Sequence, residues 1–452
     1  MTALWNAVDI AGATGGTASV DFAISGIAFD SREIGIGDLF VALTGENDDG
    51  HRFVDGAFER GATGAIVSHP VAHPHVLVGD TAAALNALGV ASRARTTARV
   101  AGVTGSVGKT GTKEALAAAL SRTPDTNVHR SVKSYNNHTG VPLSLARMPA
   151  DNDYGVFEMG MNHAGEIAAL TAMVRPHVAL ITAIAPAHIE FFESEAAIAD
   201  AKGEIFAGLE PGGTAIIPFD TPHRDRLIAH AKPHAARILT FGMGEGADVR
   251  AHQAVAIERG TLVTATLPDA ELCFTIGQHG AHWVSNALAV IAAVSALGGD
   301  LAVAGLALAE LQGLEGRGAR YRLSSGAMLI DESYNANAAS MAATLQVLAD
   351  ETATRKIAVL GEMRELGSES DALHAGIADP LLAANVDFAL LVGSAMTPLA
   401  EALEGKVDFR HVANADAATF ALRPIISDGD VVLVKGSNGV GLSALVAALR
   451  NA

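Results

Sequence analysis

From about residue 98 onward, hydrophobic and polar positions fall into two alternating periods. Short apolar runs bounded by glycine or polar residues ("ARVAGVTG", "YGVFEMG", "HVALITAI", "GTAIIPF") are interleaved with segments whose apolar residues recur three and four apart ("GTKEALAAALSR", "GEIAALTAMVR"). The first kind predicts buried strands and the second amphipathic helices. Their alternation specifies a mostly parallel sheet with helices on both faces, and it puts binding loops at the C-terminal ends of the strands.

The pattern changes at three places. Residues 1–80 hold short apolar segments broken by Gly and Asp, such as "SGIAFDSREIGIGDLFVALTG", with one helix-like stretch, "FVDGAFERGA". They predict a small N-terminal α/β domain. The Ala-rich helix "DTAAALNALGVASRARTTARV" then leads into a central domain over residues 81–313, where the run "DVRAHQAVAIERGTLVTATLPDAELCFTI" predicts hairpins before the helix "NALAVIAAVSALGG". After "LEGRGARYRL", the segments "KIAVLGEM", "FALLVGSA" and "DVVLVKGSN" each run from an apolar strand into a Gly-containing turn. They predict a C-terminal Rossmann-like domain over residues 314–452. The expected class is α/β with three domains, the middle one a P-loop ATPase-like parallel sheet.

A chain of 452 residues is long enough for several cores. With 49% hydrophobic and 18% charged residues it has a folded composition and no low-complexity run. Its formal net charge of −18 argues against a nucleic-acid scaffold, so an anionic substrate would have to be held by local cations. Cys273 is the one cysteine, which excludes a disulfide framework. With neither a signal-peptide pattern nor an apolar run of roughly 20 residues, the chain reads as cytoplasmic.

The strongest chemical signal is "GVTGSVGKTGTKE" at residues 102–114. It departs from the pattern G-x-x-x-x-G-K-[ST], because Val103 stands where the first glycine belongs. A strand still runs through a glycine turn into a helix N-terminus, where backbone N–H groups face an anion. The loop Gly105, Ser106, Val107, Gly108, Lys109, Thr110 and Gly111 is therefore expected to hold a nucleotide triphosphate. Lys109 would neutralise phosphate and Thr110 would offer its hydroxyl to Mg²⁺.

Other polar residues fall at predicted strand ends. Glu158 ends "VFEMG" and suits Mg²⁺, since a buried carboxylate needs a partner. By composition alone His188 reads as a structural histidine and Lys202 as a solvated helix lysine. Asn136, Asn137 and Thr139 form a polar loop able to bond a sugar or phosphate, or an ordinary turn. Ser31 and Arg32 follow a strand, and Arg32 is either a surface arginine or a clamp for a diphosphate.

Together these segments resemble the Mur ligase family over nearly the whole chain. The resemblance rests on "DSREIGIGDLFVAL", "DDGHRF", "GVTGSVGKTGTKE", "NNHTGVPLSL", "EMGMNHAGEI", "AKGEIF", "GRGARYRL", "DESYNANAASM", "GEMRELG" and "LVKGSNG". It accounts for Val103, because the family's loop is T-G-[ST]-x-G-K-[ST]. It implies ATP and two Mg²⁺ ions, with Thr110, Glu158, His188 and a carbamylated Lys202 around the metals, and so replaces the readings that composition gave His188 and Lys202. It further implies that Asn286, Arg317 and Asp331 cradle the nucleotide and that Ser31 and Arg32 meet the uridine diphosphate end of the substrate. Asn136, Asn137, Thr139, Tyr334, Asn335 and Asn337 are expected on the substrate side.

The implied activity joins D-alanyl-D-alanine to UDP-N-acetylmuramoyl-tripeptide through an acyl phosphate, in a monomer. A ligase for the third peptide residue commonly carries D-N-P-R, which is absent here; a folate ligase should lack the N-terminal domain, and a non-catalytic ATP-binding module has no need of Lys109, Thr110, Glu158 and Lys202. Three residues depart from the family pattern: Gly111 for Thr or Ser, Trp283 for the Asn of H-N-x-x-N, and Ala338 for the Pro of Y-N-A-N-P.

Overall fold

The computed structural model describes residues 3–45, 48–186 and 189–451. Three larger sheets follow one another along the chain. The first has five short strands, in the order Thr17–Ala18, His75–Leu77, Gly64–Val67, Asp38–Val41 and Gly26–Ala28. Beside it Trp5–Asn6 pairs antiparallel with Ala23–Ile24.

The central sheet has nine strands. Val128–Arg130, Tyr154–Glu158, Arg99–Thr104, Val178–Ile181, Thr214–Pro218, Arg237–Gly242 and Val249–Ile257 lie side by side in parallel. Gly260–Leu267 and Ala270–Ile276 then continue as antiparallel hairpins. Both faces are covered, as a parallel sheet requires. In Arg99–Thr104 the side chains alternate, with Val100 in the core on one face and Ala101 and Val103 in the core on the other. Val103 is fully buried there. The residue in the missing-glycine position is thus the last apolar position of a strand.

The third sheet runs Ala319–Arg322, Met328–Glu332, Asp430–Lys435, Arg355–Gly361, Phe388–Val392 and Asp408–Val412, parallel except for its first pair. Val431 and Leu433 point into one core while Val432 and Val434 point into the other. That period of two puts Lys435 on the Val431 and Leu433 face, but at the strand's end it lies beyond the core and lines the cleft that faces the central sheet's loops.

The N-terminal sheet is fastened to the central one by packing and by directed bonds. Leu143 and Ala146, on the helix Gly140–Ala146, share a core with Trp5, Ile24 and Leu88. The Trp5 indole N–H donates to Ala146 O at 2.9 Å, and the Arg95 guanidinium stacks 3.5 Å from the centre of the Trp5 ring. A buried indole needs such an acceptor, so this contact fixes orientation as well as adding area. No helix among the described residues is long and apolar enough to cross a membrane.

Candidate active site

The phosphate loop leaves Arg99–Thr104, the third strand from one edge of the central sheet. Gly105 has φ +150°, and a Cβ there would overlap Thr182 Oγ1. Only glycine lets the chain turn this close to the next strand's exit. That exit pins the loop: Thr182 Oγ1 donates to Val107 O at 2.5 Å, Ser106 N to Ala183 O at 2.8 Å, and Ser106 Oγ to Ala185 O at 2.8 Å. Gly108, with φ +81°, opens the helix Lys109–Ser121, whose N-terminus has no side-chain cap. An uncapped helix start presents its N–H groups to an anion. Lys109 Nζ donates to Gly105 O at 2.7 Å, so the ammonium lies over the loop. Burial lowers its pKa; Arg317 adds to that and Glu158 opposes it.

Glu158 ends its strand with 1% of its surface exposed. Its carboxylate accepts from Thr110 Oγ1 at 2.8 Å and from Asn136 Nδ2 at 2.7 Å. Among the described residues no cation forms an ion pair with it. Lys202, on the helix Glu195–Gly203, is also 1% exposed, so the solvated-lysine reading does not hold. Burial pushes its ammonium well below the usual lysine range, and repulsion from Lys109 adds to the effect. His188 lies outside the described residues. Among those described, no group of three or more His, Cys, Asp and Glu is gathered for a metal. The hard oxygen donors of Thr110 and Glu158 nonetheless suit Mg²⁺, and a buried carboxylate without a paired cation is a place where a divalent ion fits.

The polar loop before Gly140 divides its labour. Asn136 reaches Glu158, whereas the Asn137 side-chain carbonyl accepts from Thr139 N and Gly140 N at 3.2 and 2.9 Å and so shapes the turn. Thr139 is the N-cap residue of Gly140–Ala146. The loop is held from below by Lys113, a residue the sequence reading did not single out. Fully buried, Lys113 donates to Ser131 O and Lys133 O, both at 2.7 Å, and pairs with Glu114 at 2.8 Å. Its signal was its place four residues after Lys109, one helical turn further along the same face.

The opposite wall comes from the C-terminal sheet. Arg317 Nη2 donates to Ser134 Oγ at 3.2 Å across the gap, and its guanidinium stacks 4.2 Å from the centre of the Tyr334 ring. Asp331 holds this corner together: its carboxylate accepts from Gly316 N at 2.8 Å, Ser333 N at 3.1 Å and Ser333 Oγ at 2.6 Å. These bonds orient the turn that carries Arg317, and Asp331 itself does not line the cleft. Tyr334, Asn335 and Asn337 do line it, together with Glu332 and Lys435. Asn337 also caps the helix Ala338–Asp350 through Ser340, and its neighbour Ala338 begins that helix where the family pattern has Pro, a residue equally suited to a first helical position. The cleft between the two walls has a volume of about 400 Å³ and contains Lys109, Thr110, Glu158 and Asn286.

Ser31 and Arg32 are not brought to this cleft. They lie in the short turn Ser31–Glu33, where Arg32 is bonded to Asp30 at 2.6 Å and its side chain is 83% exposed. The contact toward the central sheet is made by Glu33, which pairs with Lys133 and accepts from the Tyr135 hydroxyl at 3.0 Å. The residues expected at the uridine end of the substrate therefore sit on a turn docked, through Glu33, to the loop that bears Asn136.

Two of the departures from the family pattern turn out to be one. A Cβ on Gly111 would meet Trp283 Cη2 at 3.0 Å, a contact tighter than side chains normally make. A Thr or Ser at 111 needs a smaller residue at 283, and Trp283 needs the glycine. Trp283 is nearly buried between the helices Lys109–Ser121 and Ala281–Leu297 and lines the cleft. Asn286, one turn further, lies against Gly108, where a Cβ would come 2.7 Å from its Oδ1. Gly111→Thr should raise the KM for ATP and lower the melting temperature, and Trp283→Leu should relieve part of that. Their coupling in a double-mutant cycle should be on the order of 1 kcal/mol; simple additivity would contradict the packing argument.

Comparisons with known proteins find relatives over nearly the whole chain. Models of the Mur ligase family's catalytic domain, middle domain and glutamate ligase domain match residues 23–128, 103–294 and 316–438. The UDP-N-acetylmuramoyl-tripeptide–D-alanyl-D-alanine ligase of Escherichia coli (strain K12) is 36% identical over 95% of this chain and 94% of that protein. The enzyme of that name from Bacillus subtilis (strain 168) is 34% identical over 94% and 92%. Among solved structures, MurF from Acinetobacter baumannii aligns with TM-score 0.86 at 32% identity, covering 99% of both chains. The MurF ligase of Thermotoga maritima, solved in complex with ADP, aligns with TM-score 0.79 at 27% identity over 94% and 97%. On its motifs, its three sheets and these matches, the chain belongs to the Mur ligase family.

Proposed function

We propose that the chain is an ATP-dependent ligase that joins D-alanyl-D-alanine to UDP-N-acetylmuramoyl-tripeptide, the last addition to the peptide of this peptidoglycan precursor. The observation that carries the reading is the shared cleft. It sets Lys109, Thr110 and Glu158 on one wall against Arg317, Tyr334 and Lys435 on the other. Transfer of the γ-phosphoryl group to the tripeptide carboxylate gives an acyl phosphate, and attack by the dipeptide amine gives the amide and phosphate.

Lys109 leaves Gly105 O to meet the phosphates, and Arg317 approaches them from the facing wall. Two fixed cations on opposite sides lower the repulsion between the phosphate chain and the substrate carboxylate. Thr110 and Glu158 would hold Mg²⁺, with Asn136 orienting the Glu158 carboxylate. When bound, the ion screens phosphate charge and stabilises the charge of the transferred group. Burial and the neighbouring Lys109 ammonium favour the neutral amine of Lys202 over its ammonium, and the amine is the form able to take up CO₂, so the residue is suited to carbamylation, which would place an anionic oxygen ligand there.

With purified protein, phosphate release should require both the UDP-linked tripeptide and D-alanyl-D-alanine. Release with tripeptide and a single amino acid, or with folate and glutamate, would overturn the assignment. Lys109→Ala should lower kcat by at least about 10²-fold while the protein stays folded. Labelled bicarbonate should give a carbamate carbon resonance that is absent from Lys202→Ala. A spectrum identical in both proteins would remove the modification from the account.

A further inference from the structure

Phosphoryl transfer leaves one charged pair in the cleft without a task. Glu332 and Lys435 end adjacent parallel strands and are register partners, so their side chains leave the sheet together. Lys435 Nζ lies 3.6 Å from Glu332 Oε2 and donates to Asn335 O at 2.9 Å. The Lys435 side chain is 3% exposed and that of Glu332 18%, and both line the cleft. Desolvating two ions is costly, and a packed apolar pair commonly serves a fold as well or better. Stability therefore gives no reason for the pair. The second half of the reaction does. The incoming amine arrives as an ammonium, which has no lone pair, and it must lose a proton within the cleft before it can attack.

We propose that Glu332 accepts the proton of the dipeptide ammonium, with Lys435 as the counter-charge that keeps the carboxylate ionised and placed until the amine arrives. The inference rests on the ligase reading above. The step balances as follows. Glu332 takes one proton from the ammonium. The freed lone pair attacks the acyl carbon and forms the C–N bond. The C–O bond to phosphate breaks, its electron pair leaves with the phosphate, and the phosphate takes the second nitrogen proton. Glu332 returns its proton to water once products leave.

The surroundings suit this task. Burial raises the Glu332 carboxyl above the usual glutamate range, Asp331 raises it further, and Lys435 and Arg317 oppose them. From the helix Ala281–Leu297, His282 faces the same region. Burial pushes that imidazole down to about 4, so it adds no charge at neutral pH. His279 and Arg320 border, with Glu332, a cavity of about 20 Å³ behind the pair. That is room for a single water.

The test pairs two nucleophiles on the full-length enzyme with ATP and UDP-linked tripeptide: D-alanyl-D-alanine, which is protonated at neutral pH, and hydroxylamine, which is not. In Glu332→Gln, dipeptide ligation should fall roughly 10²–10⁴-fold while hydroxamate formation stays within about threefold of wild type. The acid limb of kcat/KM for the dipeptide should vanish with it, and Glu332→Asp should restore part of the ligation. Hydroxamate formation is itself the check that the variant is folded and makes acyl phosphate. Parallel loss with both nucleophiles, or unchanged ligation in Glu332→Gln, would overturn the inference and leave the ligase reading standing. A wild-type enzyme that makes hydroxamate but never couples the dipeptide would instead refute that reading.

Discussion

A chain with a net charge of −18 that has to bring a phosphate chain to a carboxylate must concentrate its cations where those anions meet. The rest of the structure follows from that constraint. Lys109 and Arg317 face one cleft from two sheets, and Lys435 stands behind them. In water such charges would attract weakly, but between low-dielectric walls their effect on a polyanion is much larger. Each is also restrained by a neutral acceptor or an aromatic face: Lys109 by Gly105 O, Lys435 by Asn335 O and Arg317 by Tyr334. Burial disfavours the charge of both lysines, so Lys109 gains from an arriving phosphate while Lys435 already has the Glu332 carboxylate beside it.

The supporting parts are strand ends and the loops they release. Glu158, Thr182, Glu332 and Lys435 are all final or first-exit residues of strands, and the helix Lys109–Ser121 starts where its own strand stops. Buried residues such as Lys113 and Asp331 act as supports. They fix the two turns, one bearing Asn136 and Ser134 and the other Arg317, whose meeting across the Ser134–Arg317 bond links the walls. Removing either support would displace groups that the chemistry needs within a fraction of an ångström.

How much of this the sequence disclosed depends on whether the information was local. Strands and helices were legible because the periods of two and 3.6 leave a direct imprint on apolar spacing. The phosphate loop was legible because lysine, glycines and helix start are contiguous, and the structure places Val103 as the strand's last apolar position. Composition misread Lys202, since its burial comes from packing against segments distant in the chain. The partnership of Glu332 with Lys435 and that of Gly111 with Trp283 were invisible for the same reason: nothing within either segment ties one half to the other, even where Gly111 and Trp283 each stood out as a departure from the family pattern. Arg32 and Asp331 were grouped with the ligand-binding residues by motif; what no local pattern disclosed is that Arg32 bonds to Asp30 and that Asp331 holds the turn bearing Arg317.

The central claim is that the phosphate passes through the substrate's carboxylate. Tripeptide substrate labelled with heavy oxygen in the terminal carboxylate tests it most directly. Turnover with ATP and D-alanyl-D-alanine should place one labelled oxygen in each phosphate released, because the acyl phosphate's C–O bond is the one that breaks. Unlabelled phosphate accompanying normal amide formation would contradict the account.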